Sequence, residues 1–172
     1  MRYSFDSRWH IPAPPERCWA ELERMLRTGA APWWPAVQVA DVTIGMPQAR
    51  PVALTLLVRS PLGYRLRTRL TVTRWQAGRA VAADSRGDLR GHGSIRLRAA
   101  CDGSVLDVHW EVATTRRWMN LSAPLLRPVF VAAHRRVMRA GEAGLRAAVS
   151  RGSDPRNAGN PAEPPGAASR PR

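Results

Sequence analysis

Few residues of this 172-residue chain have the type and spacing to move a proton or orient a ligand. His134 is the most telling. It sits one helical turn from Phe130 and one from Met138, on the flank of a stripe marked by Leu126, Phe130, Val137, Gly141, Leu145 and Ala148. A histidine there is usually a core residue bonded to sheet backbone. The sharper reading is a polar group that orients a bound molecule. His109 and Glu111 have the right chemistry for an acid–base pair. However, they share strand parity with Asp107, opposite Leu106, Val108, Trp110 and Val112, so they should face solvent and pair with arginines on neighbouring strands. His92 shares parity with Arg96 and Arg98 and should also point out. The polar groups left for an interior are Tyr64, Thr68, Asp88 and His134, and Asp88 equally suits fixing its Gly87–Gly91 turn. No catalytic residue can be named from this set. Cys18 and Cys101 lie far apart, with no CxxC and no paired histidine spacing. A disulfide or a metal site is therefore not expected, and no cofactor is implied.

Alternation and helical periodicity define the elements that would place these groups. Tyr3, Phe5, Trp9 and Ile11 share one parity, the mark of a half-buried strand. Pro14 and Pro15 then suit a helix start, with Trp19, Leu22 and Leu26 on its apolar face. Trp33-Trp34-Pro35 should be a single helical turn or a loop ending at the proline. Strands follow at Val37–Ile44, with a slip near Ala40 and Asp41 that suits a bulge, and at Val52–Arg59. Tyr64–Trp75 directs Leu66, Thr68, Leu70 and Val72 inward and Arg65, Arg67 and Arg69 outward. Further strands are expected at Ala80–Ser85, Gly93–Ala99 and, after the Asp102-Gly103 hairpin signal, Val105–Val112. Trp118–Val149 reads as one long helix. Strands in a run closed by a helix mean α+β, with an antiparallel sheet that the helix lies across.

The length fits one domain, residues 1–150, with a tail over 151–172. That tail has five prolines and no large apolar side chain, so it should be disordered. The net charge is +14, and every one of the 27 basic residues is arginine. This is a compositional bias of the kind a GC-rich genome imposes. The field still favours anionic partners. The 65/67/69 arginine stripe should be a solvated face that discourages aggregation. A nucleic-acid platform would interleave exposed aromatics, and only Trp75 continues that face, so no specific nucleic acid is expected. An anionic membrane surface is the more coherent electrostatic partner. There is no signal-peptide core and no apolar run long enough to span a bilayer, so a cytoplasmic location is expected.

Several local patterns recur in one order: IPAPPERCWAEL, WWP, PLGYRLR, SRGDLRGHGSIRL, HWEV and WMNLSAPLLRPVFVAAHRRVMRAGEAGL. As an ordered set over Tyr3–Val149 they resemble the SRPBCC superfamily, the START-like and polyketide cyclase/dehydrase-like group. The resemblance implies a helix-grip fold, in which about seven antiparallel strands wrap a long C-terminal helix. Between them it implies an apolar cavity that takes a lipid or polyketide-like molecule. Some branches catalyse cyclisation or dehydration, but no universal catalytic motif exists to carry over.

The residues expected at that cavity are Trp33, Trp34, Tyr64, Leu66, Thr68, Asp88, Trp110, Leu126, Phe130, His134 and Met138. Binding of a hydrophobic small molecule is the leading expectation. A cyclase/dehydratase using His134, Tyr64 or Asp88 is the alternative. A cavity below about 300 Å³, too small for ordinary ligands, would sink the first, and all three polar groups pointing away from it would remove the basis of the second.

Overall fold

A computed structural model describes residues 2–46 and 50–151, with side chains described outside 117–126. The elements run β1 (Arg2–Ile11), α1 (Pro15–Thr28), β2 (Val37–Gly45), β3 (Arg50–Arg59), β4 (Arg65–Gln76), β5 (Ala80–Gly87), β6 (Leu89–Ala100), β7 (Gly103–Thr114) and α2 (Arg117–Arg151). The seven strands form one antiparallel sheet in the order β1-β7-β6-β5-β4-β3-β2. Strands β2 to β7 are a meander, because each short turn returns the chain beside the strand it left. Strand β1 instead adds to β7, and α1 carries the chain from that edge to the opposite one. The sheet curves around α2, the helix-grip arrangement that the family resemblance implies.

Local chemistry explains the boundaries. Helix α1 starts with Pro15 in its first turn and ends at Gly29, whose φ of 75° is left-handed. Its apolar stripe buries Trp19, Leu22 and Leu26, and also Cys18 and Met25. The expected bulge in β2 is present: Asp41 has φ 49° and the register shifts between Ala40 and Thr43. A register shift in another strand, between Val72 and Arg74 in β4, overturns one expectation. Trp75 does not continue the arginine face. The extra residue turns it inward, where its ring meets Trp19 edge-on at 5.3 Å.

The outer face is tied by ion pairs, as the parity of β7 predicts. Asp107 holds Arg8 at 2.6 Å and Arg98 at 3.3 Å, and these guanidiniums keep its carboxyl below the usual range. Cys18 is buried, while Cys101 is exposed in the β6–β7 turn. Among the described residues, no helix is long and apolar enough to cross a membrane. The residues expected to form a disordered tail lie outside those described, apart from Arg151 at the end of α2.

Candidate functional site

The inner face of the sheet and α2 enclose one chamber of about 240 Å³. Alternation supplies its walls. Leu54, Leu56 and Val58 come from β3, Leu66, Thr68 and Leu70 from β4, and Val108, Trp110 and Val112 from β7. Helix α2 contributes Phe130, Ala133, His134, Val137 and Met138. Trp110 can lie in the wall because residue 93 opposite it is glycine. A Cβ there would collide with the indole.

The volume falls below the mark of about 300 Å³ expected of an ordinary ligand pocket. The fillers are the large side chains Trp34, Trp110, Phe130 and Met138, which all face the space. An apolar cavity of about 150 Å³ takes up benzene, so 240 Å³ suits a molecule of one or two rings.

Polar and aromatic rings stack together in the wall. Tyr3 stacks on Phe5 at 5.8 Å, and Phe5 stacks on His134 at 3.9 Å, with ring planes 18° apart. Tyr64 meets Phe130 edge-on at 6.1 Å. All of these rings line the chamber. The Tyr3 hydroxyl is buried and has no hydrogen-bond partner among the described residues, and burial raises its pKa. Among the described residues His134 shows no bond to sheet backbone and its ring contacts are aromatic, and desolvation pushes the imidazole down to about 4. It is therefore neutral at pH 7, with a nitrogen lone pair and an N–H available to a guest.

Other expected residues have different roles. The Thr68 hydroxyl reaches the chamber wall but is already bonded, 2.8 Å from Ser85 Oγ and 2.9 Å from the Arg86 carbonyl. Trp34 lines the chamber, yet its Nε1–H donates to the Val137 carbonyl of α2 at 3.0 Å. Trp33 is absent from the lining and buried instead. The chain passes so close to α2 here that a Cβ on Gly144 would strike the Trp33 backbone. Gly141 serves the same close approach, since a Cβ there would lie 2.7 Å from Trp34 and 2.8 Å from Trp9. Asp88 is also absent from the lining. Its carboxylate accepts two hydrogen bonds from Arg116, both 2.7 Å, and one from the Arg67 backbone N–H at 2.8 Å. That clamps the β5–β6 turn to the start of α2 and lowers the Asp88 pKa despite partial burial. The side chain of Leu126 lies outside those described. Sequence reasoning missed Tyr3 and Phe5 as chamber residues. Their shared parity was the available signal, but parity marks an inward face without saying whether it lines a space.

Solved structures share this architecture. A Thermus thermophilus protein, TTHA0849, superposes with a TM-score of 0.69 at 19% identity, covering 90% of this chain and all of its own. A START superfamily protein from Mycobacterium smegmatis gives 0.63 at 14%, covering 88% and 99%. The Zhui aromatase/cyclase from Streptomyces sp. R1128 gives 0.64 at 15%, covering 88% and 95%. At these identities the likeness is one of fold. No curated protein matches the chain significantly. A family model described as polyketide cyclase / dehydrase and lipid transport matches residues 2–150. From that match, which spans all seven strands and nearly all of the closing helix, the chain belongs to this family.

Proposed function

We propose that this protein binds a small, mostly apolar molecule of one or two rings between the sheet and α2. The observation that supports this most is the composition of the enclosure. Its walls are apolar and aromatic, and among them stands the His134 imidazole, stacked on Phe5. Sites with apolar walls and a few convergent polar groups are the usual form of small-molecule pockets. A guest with a single hydroxyl or carbonyl would bond to the His134 ring and bury its own ring among Trp110, Phe130 and Met138.

Binding is favoured over catalysis by the state of His134. A general base works best with a pKa near the operating pH, and an imidazole held near 4, with no carboxylate beside it among the described residues, is a weak base. The cyclase/dehydratase reading keeps His134 and Tyr64 as chamber residues but loses Asp88 to the Arg116 clamp. The anionic membrane partner draws support from Arg127, Arg135 and Arg139, which border an open groove on the outer side of α2.

Titration with 2-naphthol, followed by calorimetry and tryptophan fluorescence, tests the reading. Saturable one-to-one binding is expected, lost in Ala133→Phe, which places a ring in the chamber. No binding by the native chain, or equal binding by a folded Ala133→Phe variant, would overturn it.

A further inference from the structure

We propose that the outer face of the sheet carries a second, separate site, a Zn²⁺ site built from His92, His109 and Glu111. Strand register assembles it. Glu111 of β7 stands opposite His92 of β6, and His109 lies two residues back on the same face. One nitrogen from each imidazole and a Glu111 carboxylate oxygen all fall within 4.8 Å of one another. Zinc–ligand bonds of about 2.0–2.2 Å put tetrahedral donors roughly 3.3–3.5 Å apart. The three groups therefore need to close by about 1.5 Å at most. His92 Nε2 already lies 3.8 Å from Glu111 Oε2, and these partly exposed side chains can rotate.

A second observation points the same way. Asp6 of β1, opposite His109 in register, places Oδ1 at 2.7 Å from His109 Nδ1. That bond holds the proton on Nδ1 and leaves Nε2 as the free donor. A carboxylate behind a ligating histidine is the usual support that fixes its tautomer and orientation. Asp84 of β5 stands opposite His92 in the next register pair, adding negative charge to a surface that is otherwise strongly basic. The competing cation is Arg2, 3.6 Å from Glu111 Oε1 with its side chain 79% exposed. Exposed pairs of that kind contribute little, so a divalent ion can displace it.

Two imidazoles and one carboxylate suit zinc or a neighbouring transition metal, whereas magnesium and calcium prefer oxygen alone. The three ligands leave a coordination position toward solvent. By strand parity these side chains stand on the face opposite Val108, Trp110 and Val112, although His109 also borders the chamber, so an ion here would tie β1, β7 and β6 together from the outer face.

The test uses the full chain, untagged and stripped with chelator, titrated with Zn²⁺ by calorimetry and with Co²⁺ by visible absorption. One equivalent should bind with Kd tighter than about 10 μM. His92→Ala and His109→Ala should each abolish saturable uptake at that level, and Asp6→Asn should weaken it by about 10–100-fold. Arg2→Ala should tighten it, a gain that misfolding would not produce. Thermal unfolding of each metal-free variant checks that the fold is kept. Absence of saturable uptake below about 100 μM, or uptake unchanged in the folded His92→Ala/His109→Ala double variant, would overturn the proposal.

Discussion

Replacing His134 by phenylalanine should make the protein more resistant to acid. The native imidazole is held near 4 by burial, against an ordinary value of 6.5. Between these values the unfolded chain takes up a proton that the folded chain refuses. Stability must therefore fall as pH drops from about 6.5 toward 4, and flatten below, where both states are protonated. A difference of about 2.5 units corresponds to a full span of about 3 kcal/mol. Of this, about 1.4 kcal/mol is lost by pH 5.5 and about 2.5 kcal/mol by pH 4.5. Phenylalanine preserves the stack on Phe5 and removes the titration. Asp88 and Asp107, whose depressed pKa values also make the fold acid-sensitive, are common to both chains and cancel in the comparison. The assay is urea unfolding of native and variant protein at pH 7.5, 5.5 and 4.5, taking the difference in unfolding free energy at each pH. The variant's advantage should grow by about 2–3 kcal/mol from the first pH to the last. A difference that stays constant with pH would refute a buried, neutral imidazole.

Three further outcomes follow from the packing. Gly141→Ala gains helix propensity of about 1 kcal/mol but drives a methyl into Trp34 and Trp9. The net result should be a loss of about 1–2 kcal/mol in denaturant unfolding, with a changed tryptophan emission. Thr68→Val removes the hydroxyl beside Ser85 Oγ and the Arg86 carbonyl. It should destabilise by about 1–3 kcal/mol while leaving 2-naphthol affinity within a few-fold, because that hydroxyl is bonded within the protein. Asp88→Asn weakens the Arg116 clamp and should lower unfolding free energy by about 1 kcal/mol, with no effect on ligand affinity. A large affinity loss would return Asp88 to the chamber.

Much of the architecture was legible because the sheet has one wet face and one dry one. The alternation of Tyr3, Phe5, Trp9 and Ile11, and of Leu66, Thr68, Leu70 and Val72, assigned inner positions that the structure repeats. What escaped depends on distances that no single segment encodes. The register shift between Val72 and Arg74 reverses Trp75, although the letters TVTRWQ continue the alternation. From its own segment Asp88 reads as interior or turn-fixing, because its partner Arg116 lies 28 residues away. Trp33 and Trp34 are adjacent and similar, yet one seals the contact at Gly144 and the other faces the chamber. The proximity of His92, His109 and Glu111 arises from pairing across β6 and β7. A search for metal-ligand spacing along the chain cannot find it. Chamber volume was beyond reach for the same reason, since it depends on how bulky rings from several elements meet.

The most direct test of a ligand chamber is a crystal structure of the full chain grown with 2-naphthol. The account predicts the two rings between Trp110 and Phe130, with the hydroxyl within hydrogen-bonding distance of the His134 ring or the Tyr3 hydroxyl. A chamber found collapsed on its own side chains, or naphthol bound only elsewhere on the protein, would contradict it.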